Sequence, residues 1–220
     1  MKAIVIEAVL FDLDGLLIDS EPLHFACWRE TLKTIGHDLT EESYVNHWTR
    51  DGMGIADFCK LHMLPQDADR LRSHKARLYE RRVRTELALM PGARQCLESL
   101  HGRKALALAT AGYPEAVDPA LARHGLRPFF KAIVTRSDVK RFKPAPDVFL
   151  RAAELLGVEP ANCLVLEDAE KGVRAAHAAG MYCIAIPNLH TRDNDFSLAT
   201  CVLASLFEVT PTALEAVAGP

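Results

Sequence analysis

The chain is 220 residues long, 49% hydrophobic and 25% charged, with a formal net charge of −3. Those values fit a soluble globular protein with a substantial core, built as one large domain or two smaller ones, and they argue against nucleic acid or a membrane surface as the partner. No apolar run reaches the roughly 18–20 residues that span a bilayer, and six cysteines without a CxxC pair read as reduced thiols of a cytoplasmic protein, not as a disulfide frame or zinc site.

The first predicted strand, Ile6–Asp12, follows a single lysine and carries Glu7, which makes a poor signal peptide. It runs into FDLDGLLIDS at residues 11–20, where Asp12 and Asp14 abut an apolar stretch. Buried carboxylates are costly unless paired, hydrogen-bonded or metal-bound; capping a turn is the bland alternative. From Ser20 to about Arg84 no strand pattern appears. Helical periodicity over Leu23–Ile35, Glu41–Trp48, Ile55–Leu61 and Asp67–Val83 predicts an all-helical insert. Within it HKARLYERRVR, residues 74–84, is the strongest basic run, either a solvated helix face or a surface turned toward an anionic substrate. Strands then follow at Lys104–Thr110, Lys131–Thr135, Cys163–Asp168, Met181–Ile186 and, more weakly, Cys201–Ala204. Helical patterns at Gly92–His101, Pro114–His124, Asp147–Leu156 and Gly172–Ala179 separate them. This alternation predicts an α/β fold whose parallel sheet is covered on both faces. The expected domains are a core of residues 1–19 and 85–220 and a helical unit of residues 20–84.

Ligands of open parallel sheets bind beyond the carboxyl ends of the strands. Asp12 and Asp14, Thr110, Lys143 and the pair Glu167-Asp168 lie at four such ends or the loops after them. One site explains all four; capping has to be invoked four times. Several carboxylates in one site repel each other and raise their own pKa values, and a hard divalent cation such as Mg2+ removes that problem. Lys143 offsets a nucleophilic carboxylate and a phosphate, and Thr110 offers a hydroxyl to phosphate oxygens. An aspartate can attack phosphorus, and a second acid two residues on can protonate the leaving oxygen.

DLDGLLIDS at 12–20, LALAT at 106–110, KPAPDVF at 143–149 and VLEDAEKGVRAAHAAGM at 165–181 resemble the haloacid dehalogenase superfamily, in the branch of β-phosphoglucomutases and phosphoglycolate phosphatases. The motifs keep that family's order and spacing over nearly the whole chain. The resemblance implies a Rossmann-like core with a helical cap inserted after the first strand. It implies Asp12 as nucleophile, Asp14 as general acid/base, Thr110 as the phosphate-binding hydroxyl with Ala111 beside it, and Lys143 as the charge-balancing lysine. It further implies an Mg2+ held by Asp12, Asp168 and the Asp14 carbonyl, with Glu167 as a further ligand or in support. In the cap, DSEPLHFACW at 19–28 and KARLY at 75–79 imply substrate contacts by His24 and Lys75, and Arg50 falls near an arginine that grips a distal phosphate.

Asp14 favours phosphoryl transfer over dehalogenation, which needs no acid for a leaving oxygen. The positions directly after Asp19, Ser20-Glu21-Pro22-Leu23, hold no lysine for the phosphonate-cleaving branch. Thr110 is followed by Ala111, Gly112 and Tyr113, not by the polar run that would hold a sugar in a mutase. The expectation is a monomeric, Mg2+-dependent phosphatase of a small phosphorylated metabolite, such as a sugar phosphate, acting through an aspartyl-phosphate. A β-phosphoglucomutase-like mutase is the alternative. A non-catalytic binding protein is disfavoured because no expected catalytic position is lost.

Overall fold

In the computed structural model, residues 5–50, 53–64 and 67–217 are described, the side chains of 49 and 50 excepted. The chain divides into two compact units, Met1–Asp19 with Ala88–Pro220, and Ser20–Leu87. The first is built on a six-stranded sheet of β1 (Ala8–Phe11), β4 (Ala105–Ala109), β5 (Ala132–Val134), β6 (Cys163–Glu167), β7 (Tyr182–Ala185) and β8 (Cys201–Val202). Its order is β5-β4-β1-β6-β7-β8, with every neighbouring pair parallel. The short strands β2 (Ile18–Asp19) and β3 (Ala88–Leu89) pair antiparallel in a separate small sheet.

The central strands show why the sheet forms. All residues of β1 and β6 are buried, so both faces are covered, as continuous apolar runs require. Helices α5 (Ala93–Leu100), α6 (Pro114–His124), α7 (Asp147–Leu156), α8 (Glu170–Ala178) and α9 (Pro211–Val217) belong to this unit. α5 buries Ala93, Cys96, Leu97 and Leu100, and α7 buries Val148, Phe149, Ala152 and Ala153, the stripe of an amphipathic helix on a sheet. Phe11 lies opposite Leu108 on β4 and Leu166 on β6. The strand order therefore reverses around β1, and the ends of β1, β4 and β6 lie side by side where such folds bind ligands.

The second unit is helical: α1 (Glu21–Lys33), α2 (Glu41–Tyr44), a π-helical turn Val45–Arg50, α3 (Ile55–Leu61) and α4 (Ala68–Val83). Its core gathers Leu32, Leu39, Tyr44, Phe58 and Leu71, with Trp28 and Trp48 packed against them. The expected single helix Glu41–Trp48 widens at Val45, and Trp48 packs at 5.6 Å on Tyr44 and 4.4 Å on Phe58. Helix α8 begins two residues before the periodicity suggests. All six cysteines are free thiols, five of them buried. Among the described residues no helix is long and apolar enough to cross a membrane.

Candidate active site

Asp12 directly follows β1 and continues its ladder, its N–H donating to the Leu166 carbonyl at 3.1 Å. The side chain is therefore delivered to the middle of the sheet edge, 7% exposed. The Lys143 ammonium donates to Asp12 Oδ1 at 2.6 Å and to Glu167 Oε1 at 2.7 Å. Glu167 Oε2 accepts from the N–H groups of Asp168 and Ala169 at 2.9 and 3.0 Å. Both Glu167 oxygens are thus committed to holding Lys143 and the turn into α8. That carboxylate lies flat against α8, since a Cβ at Gly172 would fall 1.7 Å from Oε1.

Asp168 faces the loop after β1. Its Oδ2 accepts from Asn188 Nδ2 at 2.8 Å, and the same amide donates to the Gly15 carbonyl at 3.0 Å. Gly15 has φ +80°, and a Cβ there would meet Asp168 Oδ2 at 2.4 Å and Asn188 Nδ2 at 2.7 Å. Both the left-handed backbone and the lack of space require glycine after Asp14. Thr110, 1% exposed, directly follows β4. Its Oγ1 accepts the Gly112 N–H at 3.0 Å, which leaves the hydroxyl hydrogen to donate elsewhere. Asp14 is half-buried, and a Cβ at Gly112 would lie 3.8 Å from its Oδ2. Ala111 is exposed in the same loop and offers only backbone groups.

The electrostatics follow from burial. Desolvation pushes the Asp12 carboxyl up to about 7; Lys143 opposes the rise, while Glu167 and Asp14 add to it. Burial, then Glu167 and Asp12, drive Asp168 well above the usual carboxylate range. Burial works against the Lys143 charge, but Asp12 and Glu167 outweigh it and raise its pKa. Carboxylate oxygens of Asp12, Glu167 and Asp168 lie within 4.8 Å of one another, and three buried acids share one ammonium. Asp12 bonds Lys143 through one oxygen and Asp168 bonds Asn188 through one. Their second oxygens are suited to a hard divalent cation, which would also lift the repulsion.

The core residues singled out in the sequence, Asp12, Asp14, Thr110, Ala111, Lys143, Glu167 and Asp168, all lie at the ends of β1, β4 and β6 or in the loops that follow β1, β4, β5 and β6. Asn188, two residues past Ile186, was not singled out, although the strand-end argument extends to it. In the helical unit, His24 Nδ1 lies 2.7 Å from Lys75 Nζ, and its ring stacks on Tyr79 at 4.4 Å. Burial first, then the Lys75 charge, holds His24 well below its usual pKa. It is therefore a neutral acceptor for the ammonium, and Lys75 also sits 4.6 Å over the Tyr79 ring. The Arg50 side chain lies outside the described residues.

The chain matches the haloacid dehalogenase-like hydrolase family over residues 6–180. It is 34% identical over 174 residues to the fructose-1-phosphate phosphatase YqaB of Escherichia coli K12, which is 79% of this chain and 92% of that protein. It is 35% identical over 182 residues to the phosphorylated carbohydrates phosphatase of Thermotoga maritima, 80% of this chain and 82% of that one. Among solved structures, CbbY from Rhodobacter sphaeroides in complex with phosphate superposes with a TM-score of 0.83 at 29% identity, covering 96% of this chain and 100% of the other.

Proposed function

The chain belongs to the haloacid dehalogenase-like hydrolases, and from that premise we propose that it hydrolyses the phosphate monoester of a small phosphorylated metabolite, a sugar phosphate, through an aspartyl-phosphate on Asp12. The observation that carries this reading is the Lys143 ammonium bonded to both Asp12 and Glu167 beside Asp168 at the sheet edge. Lys143 holds the Asp12 carboxylate at the sheet edge, where it can attack phosphorus. Thr110 donates its hydroxyl to a phosphate oxygen. Asp14 protonates the leaving sugar oxygen, then removes a proton from the water that cleaves the aspartyl-phosphate. Glu167 keeps Lys143 in place through its own backbone anchors. Asp12, Asp168 and the Asp14 carbonyl would hold Mg2+. When bound, Mg2+ supplies charge that lets a carboxylate and a phosphate dianion approach each other.

Release of inorganic phosphate from fructose 1-phosphate tests the reading. It should require Mg2+, stop with a chelator and be absent in Asp12→Asn. Conversion of β-glucose 1-phosphate to the 6-phosphate without phosphate release would replace it by the phosphomutase alternative.

A further inference from the structure

Arg136 follows β5 closely, on the sheet edge that carries the acidic cluster. It opens a single 3-10 turn, Arg136–Asp138, whose start is fixed because the Thr135 N–H and hydroxyl both donate to Asp138 Oδ2 at 2.7 Å. The Arg136 N–H donates to the Gly112 carbonyl at 2.9 Å. This ties Arg136 to the loop after Thr110, the loop that Asp14 approaches. Arg136 is thus one hydrogen bond away from the segment lining the acid/base side of the site.

The guanidinium carbon lies 3.5 Å from the centroid of the Phe142 ring and 5.3 Å from that of Tyr113. Phe142 immediately precedes Lys143, and Tyr113 immediately follows Gly112, so both rings belong to site loops. Among the described residues no carboxylate pairs with Arg136, and its buried Nε has no hydrogen-bond partner. Other arginines of this unit do find acids: Arg141 meets Asp147 at 3.0 Å and Arg151 meets Glu154 at 2.6 Å. A half-buried guanidinium held on two aromatic faces, with its buried Nε–H unpaired, is fixed in place with a donor left to give to a ligand. Its planar fork matches the oxygens of phosphate and carboxylate.

We propose that Arg136 binds a second oxyanion, a phosphate or carboxylate, carried by the substrate away from the phosphoryl group being hydrolysed. The proposal rests on the phosphatase reading and adds a substrate class to it. Arg136 acts as a specificity residue, and the chemistry stays with Asp12 and Asp14.

The test compares pairs of substrates that differ only in the remote group. Fructose 1,6-bisphosphate against fructose 1-phosphate reads a remote phosphate; glucuronic acid 1-phosphate against glucose 1-phosphate reads a remote carboxylate. In the wild-type chain one acidic partner should have the higher kcat/KM. In Arg136→Ala that ratio should fall by roughly 10- to 100-fold, the scale of one charge-assisted pair, and Arg136→Lys should restore part of it. A purely structural role would lower both members of a pair together and leave the ratio unchanged, which overturns the proposal. So does a wild-type enzyme that prefers the neutral partner in both pairs. Binding of fructose 1,6-bisphosphate to the Asp12→Asn chain, with and without Arg136→Ala, reads the contact without turnover. Equal affinities there reject the Arg136 site even if hydrolysis is seen. No hydrolysis of any of the four substrates, with a weakening at Arg136→Ala, rejects the phosphatase reading and keeps the site.

Discussion

Replacing Gly172 by alanine should destabilise the protein, against the ordinary sign for a glycine inside a helix. Gly→Ala in a helix interior usually gains roughly 0.5–1 kcal/mol. Here the new Cβ would stand 1.7 Å from Glu167 Oε1 and 1.9 Å from its carboxyl carbon, far inside contact distance. Either α8 backs away from β6, or the carboxylate swings out. In the second case Glu167 gives up Lys143 at 2.7 Å and two backbone N–H donors at 2.9 and 3.0 Å. Disrupting a buried, hydrogen-bonded charge of this kind costs about 3–5 kcal/mol. Net of the helical gain, about 2–4 kcal/mol remains, which lowers Tm by about 5–15 °C in a chain of this size. Thermal unfolding by circular dichroism measures it, with Lys171→Ala as the control one residue away on the exposed face, expected within about 0.5 kcal/mol of wild type. Phosphatase turnover should fall as well, because Lys143 loses one of its two anchors. A Gly172→Ala protein as stable and active as wild type, or more stable, would refute the claim that the Glu167 carboxylate is pressed against α8.

Asp12→Asn should abolish phosphate release, since an amide is a poor nucleophile. Asp14→Asn should slow it by about 100-fold or more, the scale of a lost general acid/base; single-turnover kinetics separates the two, and near-normal turnover by Asp12→Asn would sink the aspartyl-phosphate. Without metal, the raised Asp12 pKa of about 7 means that between its ordinary value of 3.8 and 7 the folded protein holds a proton that the unfolded chain has released. Metal-free stability is therefore expected to fall as pH rises through that window, and Mg2+ to raise Tm more near pH 7.5 than near pH 5; an equal shift at both would contradict it. Lys75→Ala should lower kcat/KM for a sugar phosphate relative to 4-nitrophenyl phosphate by about 10-fold, and an unchanged ratio would remove Lys75 from substrate selection.

The six strands of the main sheet were legible because each lies in a continuous apolar run, most of them ended by a polar residue, a pattern that needs no long-range information. The two-residue strands Ile18–Asp19 and Ala88–Leu89 were not. They are too short to show a period, and they exist because two stretches almost seventy positions apart pair with each other. The π-helical widening at Val45 is equally silent in the sequence, since it reflects where Trp48 has to pack.

In the site, residue types at strand ends pointed to the acids and the lysine, but the partnerships could not be read. Lys143 could have faced a phosphate alone; the fold instead places it between Asp12 and Glu167. Glu167 therefore differs in kind from its neighbour Asp168, although the two stand side by side in the motif. Glu167 turns inward against Gly172 and spends both oxygens, whereas Asp168 turns to Asn188 and Gly15 and keeps one. Asn188 lies three residues past the end of β7, beyond Ile186 and Pro187, so it is reached only if the loop after the strand is read along with its last residue. Arg136 lies two residues past β5, beyond Thr135. What singles it out is a buried Nε with no hydrogen-bond partner on a guanidinium stacked between two aromatic rings, and that can be seen only once the chain is folded.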